Sequence, residues 1–184
     1  MDYSAFSHGQ IHSKLWLCEN LDIHVKPSST IVILGSWYNI LGFMLQTRKP
    51  KYYKEICGID INKDAIEIAN KINQAWMIGN DTVIRNINDN ANKLDLRGYD
   101  VYINCSVEHM DNNDWFNNIP AGRLVCLQST NVTIKGDPWY ITNPIKSLSV
   151  FAKKYKLQQV FFKDKLDFDY GKNSYSRYML IGIK

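Results

Sequence analysis

The sequence lacks paired cysteines: Cys18, Cys57, Cys105 and Cys126 are scattered, with no C-x-x-C among them. That spacing argues against a disulfide framework and against a zinc centre, and no metal site is expected. Cys57, Cys105 and Cys126 sit in apolar, strand-like runs, where cysteine behaves as a small hydrophobe. Long apolar runs are missing too. A stretch such as Ile31-Val32-Ile33-Leu34 is far too short to cross a bilayer, so no membrane partner is expected. The start of the chain, Met1-Asp2-Tyr3, lacks the basic region and apolar stretch of a secretory signal, which makes the cytoplasm the expected location. A dense basic stripe is also absent. The net charge is only +4, and Lys49, Lys51 and Lys54 form the one real cluster, read as a solvated loop. This balance permits an anionic substrate but argues against a nucleic-acid partner.

No internal repeat, low-complexity tract or long linker divides the 184 residues, which fit one domain with a substantial core. What the sequence does contain is β-rich runs alternating with helical patterns, the signature of βαβ units and a parallel sheet. Strands are expected at 30–34, 54–60, 82–87, 101–105, 123–128, 157–163 and 175–183. Helices are expected at about 39–47, from Asn62 onward, at 113–117 and near 144–155. Asn62 is placed to cap a helix whose Ala65, Ile66, Ile68, Ala69 and Ile72 fall on one face. The last two strands follow each other without a helix between them.

Chemistry-bearing residues gather after these strands, and in open α/β sheets ligands sit beyond the carboxyl ends of strands. Strand one is followed by Leu34-Gly35-Ser36-Trp37-Tyr38-Asn39, where Gly35 lets the backbone approach a ligand and the next helix offers free amides. Strand two ends in Gly58-Ile59-Asp60-Ile61-Asn62, with an acid 25 positions after Gly35. An acid at that place in a Rossmann-like sheet accepts hydrogen bonds from ribose hydroxyls. Strand three leads to Asp89-Asn90-Ala91, and strand four to Asn104-Cys105-Ser106-Val107-Glu108-His109. A neutral His109 there could take a proton from an acceptor hydroxyl or amine, with Glu108 orienting it.

This order and these motifs resemble the class I (Rossmann-like) S-adenosylmethionine (SAM) dependent methyltransferases over nearly the whole chain from residue 10 onward. The resemblance implies a three-layer α/β sandwich whose seven-stranded, mostly parallel sheet has an antiparallel last strand. It implies residues 1–184 as a single methyltransferase-like domain, with 1–28 a helical segment near the acceptor site. SAM is the implied cofactor and S-adenosylhomocysteine (SAH) the product. Gly35, Ser36 and Trp37 would hold the methionine part, although Trp37 stands where a second glycine is common. Asp60 and Ile61 would hold the ribose end, Asp89 and Asn90 the adenine, and Asn104 and Cys105 would complete the cofactor site. Glu108 and His109 would be catalytic. Gln10, Lys14, Tyr38, Gln128, Trp139 and Tyr140 are the expected contacts of a small-molecule N or O acceptor, which direct in-line attack would methylate. Nucleic-acid amino-methyltransferases carry Asp/Asn-Pro-Pro-aromatic after strand four; Asn104 matches, but both prolines are missing. Two other readings stay open: transfer of the aminocarboxypropyl or aminopropyl group of SAM, and a catalytically silent module that binds a protein partner. An exposed sheet edge is compatible with a homodimer.

Overall fold

The computed structural model describes residues 1–49, 52–77, 83–132 and 141–184. Among them are seven strands: β1 (Thr30–Leu34), β2 (Glu55–Asp60), β3 (Val83–Asn88), β4 (Val101–Asn104), β5 (Leu124–Thr130), β6 (Gln159–Phe168) and β7 (Tyr175–Ile183). They form one sheet in the order β3-β2-β1-β4-β5-β7-β6. β7 runs antiparallel to both β5 and β6, and the other described pairs are parallel.

The central strands read as nearly unbroken apolar runs because both faces are covered. Ile31 and Ile33 of β1 pack on one side with Ile56, Ile103, Cys126 and Met179, under Leu17 and Leu21 of α1 (His8–Leu21) and Leu41 and Leu45 of α2 (Ile40–Arg48). Val32 and Leu34 face the other way, with Cys57, Tyr102, Val125 and Leu180. Trp115 and Phe116 of α4 (Asp114–Asn117) and Phe151 of α5 (Leu148–Lys154) close that side. Each such side chain, fully buried, contributes about 1.5–3 kcal/mol of apolar transfer free energy. The outer strands β3 and β6 are largely exposed, as edge positions dictate.

The element order matches the expectation from sequence, with two differences at the margins, in β6 and α5. β6 runs on to Phe168 because β7 pairs with it as far as the Phe168–Tyr175 position. α5 begins at Leu148, since the Ser147 hydroxyl accepts from the Val150 amide and sets its first turn. Among the described residues no helix joins β3 to β4. The expected cap of α3 (Lys63–Met77) is present: Asn62 Oδ1 accepts from the Ala65 amide at 3.1 Å.

The turn from β1 into α2 is fixed by a buried asparagine. Asn39 adopts a left-handed backbone (φ 47°) and caps α2 through the Gly42 amide. Its Nδ2 donates to Asn86 Oδ1 on β3 at 2.7 Å, and Asn86 in turn donates to Asn70 on α3. Gly58 on β2 leaves room for this side chain: a methyl there would lie 2.6 Å from Asn39 Nδ2 and 2.9 Å from Ser36 Oγ. Asn39 cannot retreat without leaving buried polar atoms unpaired. Gly58→Ala is therefore expected to lower unfolding stability by about 1–3 kcal/mol, read from urea denaturation. A loss no larger than that of an exposed alanine substitution would contradict this packing.

Candidate functional site

Beyond the carboxyl ends of β1, β2 and β4, and beside the amino end of the antiparallel β7, lies a cavity of about 510 Å³, within the size range of small-molecule sites. It extends from Asp60, Asp89 and Asn90 at one end to Gln10, Lys14, Tyr175 and Arg177 at the other.

Gly35 has φ +63°, a conformation glycine adopts freely, and a methyl on it would lie 2.9 Å from both Ser106 Cβ and Met110 Cε. Its carbonyl accepts from the Ser106 hydroxyl at 2.9 Å, which ties the loop after β1 to the loop after β4. Trp37, at the eroded glycine position, also has a positive φ of 51°. The backbone conformation persists although the glycine does not, at a cost of roughly 1–3 kcal/mol for a bulky residue. Asp60 helps hold it there. Its Oδ2 accepts from the Trp37 amide at 2.7 Å, and its Oδ1 from the Asn62 amide at 2.9 Å. A carboxylate has about four acceptor positions, so Asp60 retains capacity toward the cavity. Ile61 beside it is 71% exposed and lines the same space. Asp89 and Asn90 also line it, and each side chain accepts from a backbone amide of the turn after β3.

Glu108 is almost fully buried. Its Oε1 accepts from Arg177 Nη1 at 2.9 Å, and its carbonyl accepts from the Thr142 and Asn143 amides. His109 Nε2 stands 3.9 Å from Glu108 Oε1, beyond hydrogen-bonding distance. Glu108, expected to orient the imidazole, makes no direct hydrogen bond to it, because its carboxylate turns to the guanidinium. Glu108 Oε2 and Arg177 Nε are both buried without a partner among the described residues. Lys14 reaches in from α1, donating to Gln10 Oε1 at 2.7 Å and to the Gln10 carbonyl. Burial is the main cause that lowers its pKa to about 8. Burial likewise pushes the Cys105 thiol up to about 11, so it is protonated at neutral pH.

The cavity thus brings together Gln10, Lys14, Gly35, Ser36, Trp37, Tyr38, Asp60, Ile61, Asp89, Asn90, Cys105, Glu108 and His109. Asn104 and Gln128 are not on its wall. Asn104 is wholly buried, its Oδ1 accepting from the Ser106 amide. Gln128 lies beneath α1, donating to the Ser13 carbonyl at 2.9 Å, and so fastens the helix to the sheet rather than facing a ligand. Trp139 and Tyr140 lie outside the described residues. Sequence reasoning missed Arg177, Tyr175 and Ser106. The available signal for Arg177 was one cation in the otherwise apolar run Tyr178-Met179-Leu180-Ile181 and its flank. Among the described residues no cluster of His, Cys, Asp or Glu is arranged to hold a metal ion, and no helix is long and apolar enough to cross a membrane.

No family model matches the sequence, and no curated protein matches it. Solved structures match its fold. Coclaurine N-methyltransferase bound to N-methylheliamine and SAH aligns with a TM-score of 0.71 at 11% identity, over 95% of this chain and 72% of that one. N-methyltransferase NodS from Bradyrhizobium japonicum WM9, in complex with SAH, gives 0.69 at 9% identity, over 94% and 87%. Geranyl diphosphate C-methyltransferase from Streptomyces coelicolor A3(2), with Mg2+, geranyl diphosphate and SAH, gives 0.67 at 13% identity, over 95% and 80%. What these proteins share with the present chain at such identities is architecture: it has the Rossmann-like α/β fold of the class I methyltransferases.

Proposed function

We propose that this chain is a SAM-dependent methyltransferase that methylates a nitrogen or oxygen of a small molecule. The observation that carries the reading is the continuity of one cavity from Asp60, at the end of β2, to His109 and Lys14. The residues present fit the cofactor. Asp60 keeps free acceptor positions for two ribose hydroxyls, and the exposed Ile61 offers an apolar surface beside it. Ser36 Oγ is buried without a partner among the described residues, next to the bare backbone of Gly35, where a polar amino-acid end would lie. Structures of the same fold that contain SAH support this choice of ligand.

When bound, SAM supplies a methyl group already activated by its sulfonium, ready for in-line displacement. The protein's task is then mainly to orient the acceptor and exclude water. α1 contributes Gln10 and Lys14 to the far wall and so encloses the acceptor region. His109 is the one imidazole on the described cavity wall, and in its neutral form it accepts the proton that the attacking N–H or O–H gives up. Glu108 acts through position: its ion pair with Arg177 and its carbonyl contacts to residues 142 and 143 hold the 3₁₀ turn Val107–His109 against β7.

Two measurements test the reading. Calorimetric titration with SAM and SAH is expected to give micromolar binding, and Asp60→Ala is expected to weaken it tenfold or more. The reason is that each hydrogen bond to the charged carboxylate is worth about 1.5–3 kcal/mol, and about 1.4 kcal/mol is tenfold. No heat with either ligand, in protein that is folded by circular dichroism, would sink the methyltransferase reading. Once an acceptor is found in a panel assayed by SAH production, His109→Gln is expected to slow transfer by about 10²–10⁴-fold. An unchanged rate across the pH range would remove His109 from the chemistry.

A further inference from the structure

The acceptor end of the cavity carries more positive than negative charge. Lys14 approaches it from α1, Arg177 from β7 and Glu108 from the turn after β4. Glu108 Oε1 is committed to Arg177, so this pair balances internally. Lys14 is not balanced: its hydrogen bonds go to the uncharged oxygens of Gln10, and it forms no ion pair among the described residues. A desolvated ammonium without a counter-charge is costly unless a ligand supplies one. Arg177 adds a free donor rather than a free charge: its Nε is buried with no partner among the described residues. β7 lies four strand positions from β2 in the sheet, about 19 Å at a spacing of about 4.8 Å, so Arg177 is remote from the Asp60 end. The carboxylates Asp60 and Asp89 line that opposite end, and Asp111 is exposed where it meets the cavity.

From this arrangement we propose that the methyl acceptor is an acid: it carries a carboxylate that pairs with Lys14, with Arg177 completing a cationic wall behind it. The inference rests on the methyltransferase reading, which also brings the positive sulfonium into the same space. That charge disfavours an ammonium acceptor and favours an anion. Trp37 and Tyr38, whose rings stack 4.7 Å apart, line the same cavity and offer it an aromatic surface. The depressed pKa of Lys14, about 8, has the sign this requires. The groups acting on it are Cys18 from its own helix, Cys105 and Glu108 from the segment after β4, and Arg177 from β7. A carboxylate arriving beside Lys14 raises its pKa, so above pH 8 binding takes up a proton.

The test is calorimetric titration of the full chain, saturated with SAH, using the matched probes benzoate and benzylamine. Benzoate is expected to bind in the millimolar range, with uptake of up to about one proton at about pH 9, read from buffers of different ionisation heat. Lys14→Met is expected to lose tenfold or more in benzoate affinity together with the proton uptake, and Lys14→Arg to keep the affinity. Benzylamine binding as tightly as benzoate would overturn the proposal, since the unpartnered Glu108 Oε2 would then be the recognition element. Equal benzoate affinity in wild type and Lys14→Met would overturn it, and so would no benzoate binding at all. A second arm compares SAH with its decarboxylated analogue. If Lys14→Met weakens SAH but not that analogue, Lys14 holds the cofactor's own carboxylate and the acceptor assignment fails. Folded wild-type protein that does not bind SAH would instead defeat the methyltransferase reading itself.

Discussion

The site depends on where the sheet changes direction. β1 pairs in parallel with β2 on one side and β4 on the other, so the chain first winds outward through β2 and β3 and then returns to begin again at β4. The loops leaving β1 and β4 therefore part company, and an opening forms between them at the carboxyl ends. Everything chemically notable borders that opening. The Ser106 hydroxyl bond to the Gly35 carbonyl spans it at its base, and the backbone conformations of Gly35 and Trp37 hold the β1 side down. Asp60 joins the two functions, because it receives the Trp37 amide while facing the cavity.

Electrostatics divide the cavity along its length. One end has carboxylates on turns, partly exposed and already engaged with backbone amides. The other end has a buried ion pair and a desolvated lysine. A buried ion pair is weak evidence for stability, because desolvation offsets much of its Coulombic attraction. Its value here is positional. Through Arg177 it connects the turn Val107–His109 to β7, which runs antiparallel to both strands beside it. The antiparallel insertion thus brings into the site a residue from near the end of the chain, opposite Lys14 from near its beginning.

Much of this was legible in the sequence, for reasons that can be named. The seven strands and their helices follow from local periodicity, and Asn62 marks a helix start through a side-chain acceptor that works within one turn. Gly35, Asp60 and His109 share one cavity wall because loops after parallel strands gather on one edge of such a sheet. Gln128 and Asn104 were misread for a physical reason. Both occupy strand positions near the functional edge, but α1 packs over Gln128, and Asn104 turns back to cap its own loop at Ser106. Neither outcome is encoded within a few residues of either site.

The sequence by itself determined the alternation of strands and helices, the edge on which a ligand would sit, and the acid at the end of β2, since each depends on short-range pattern and backbone chemistry. Only the tertiary structure decided which charges meet. Glu108 takes Arg177, 69 positions away, instead of the adjacent His109, and Lys14 is left without an ion pair among the described residues. Charge pairing acts through space and through burial, and a linear spacing carries neither distance nor desolvation.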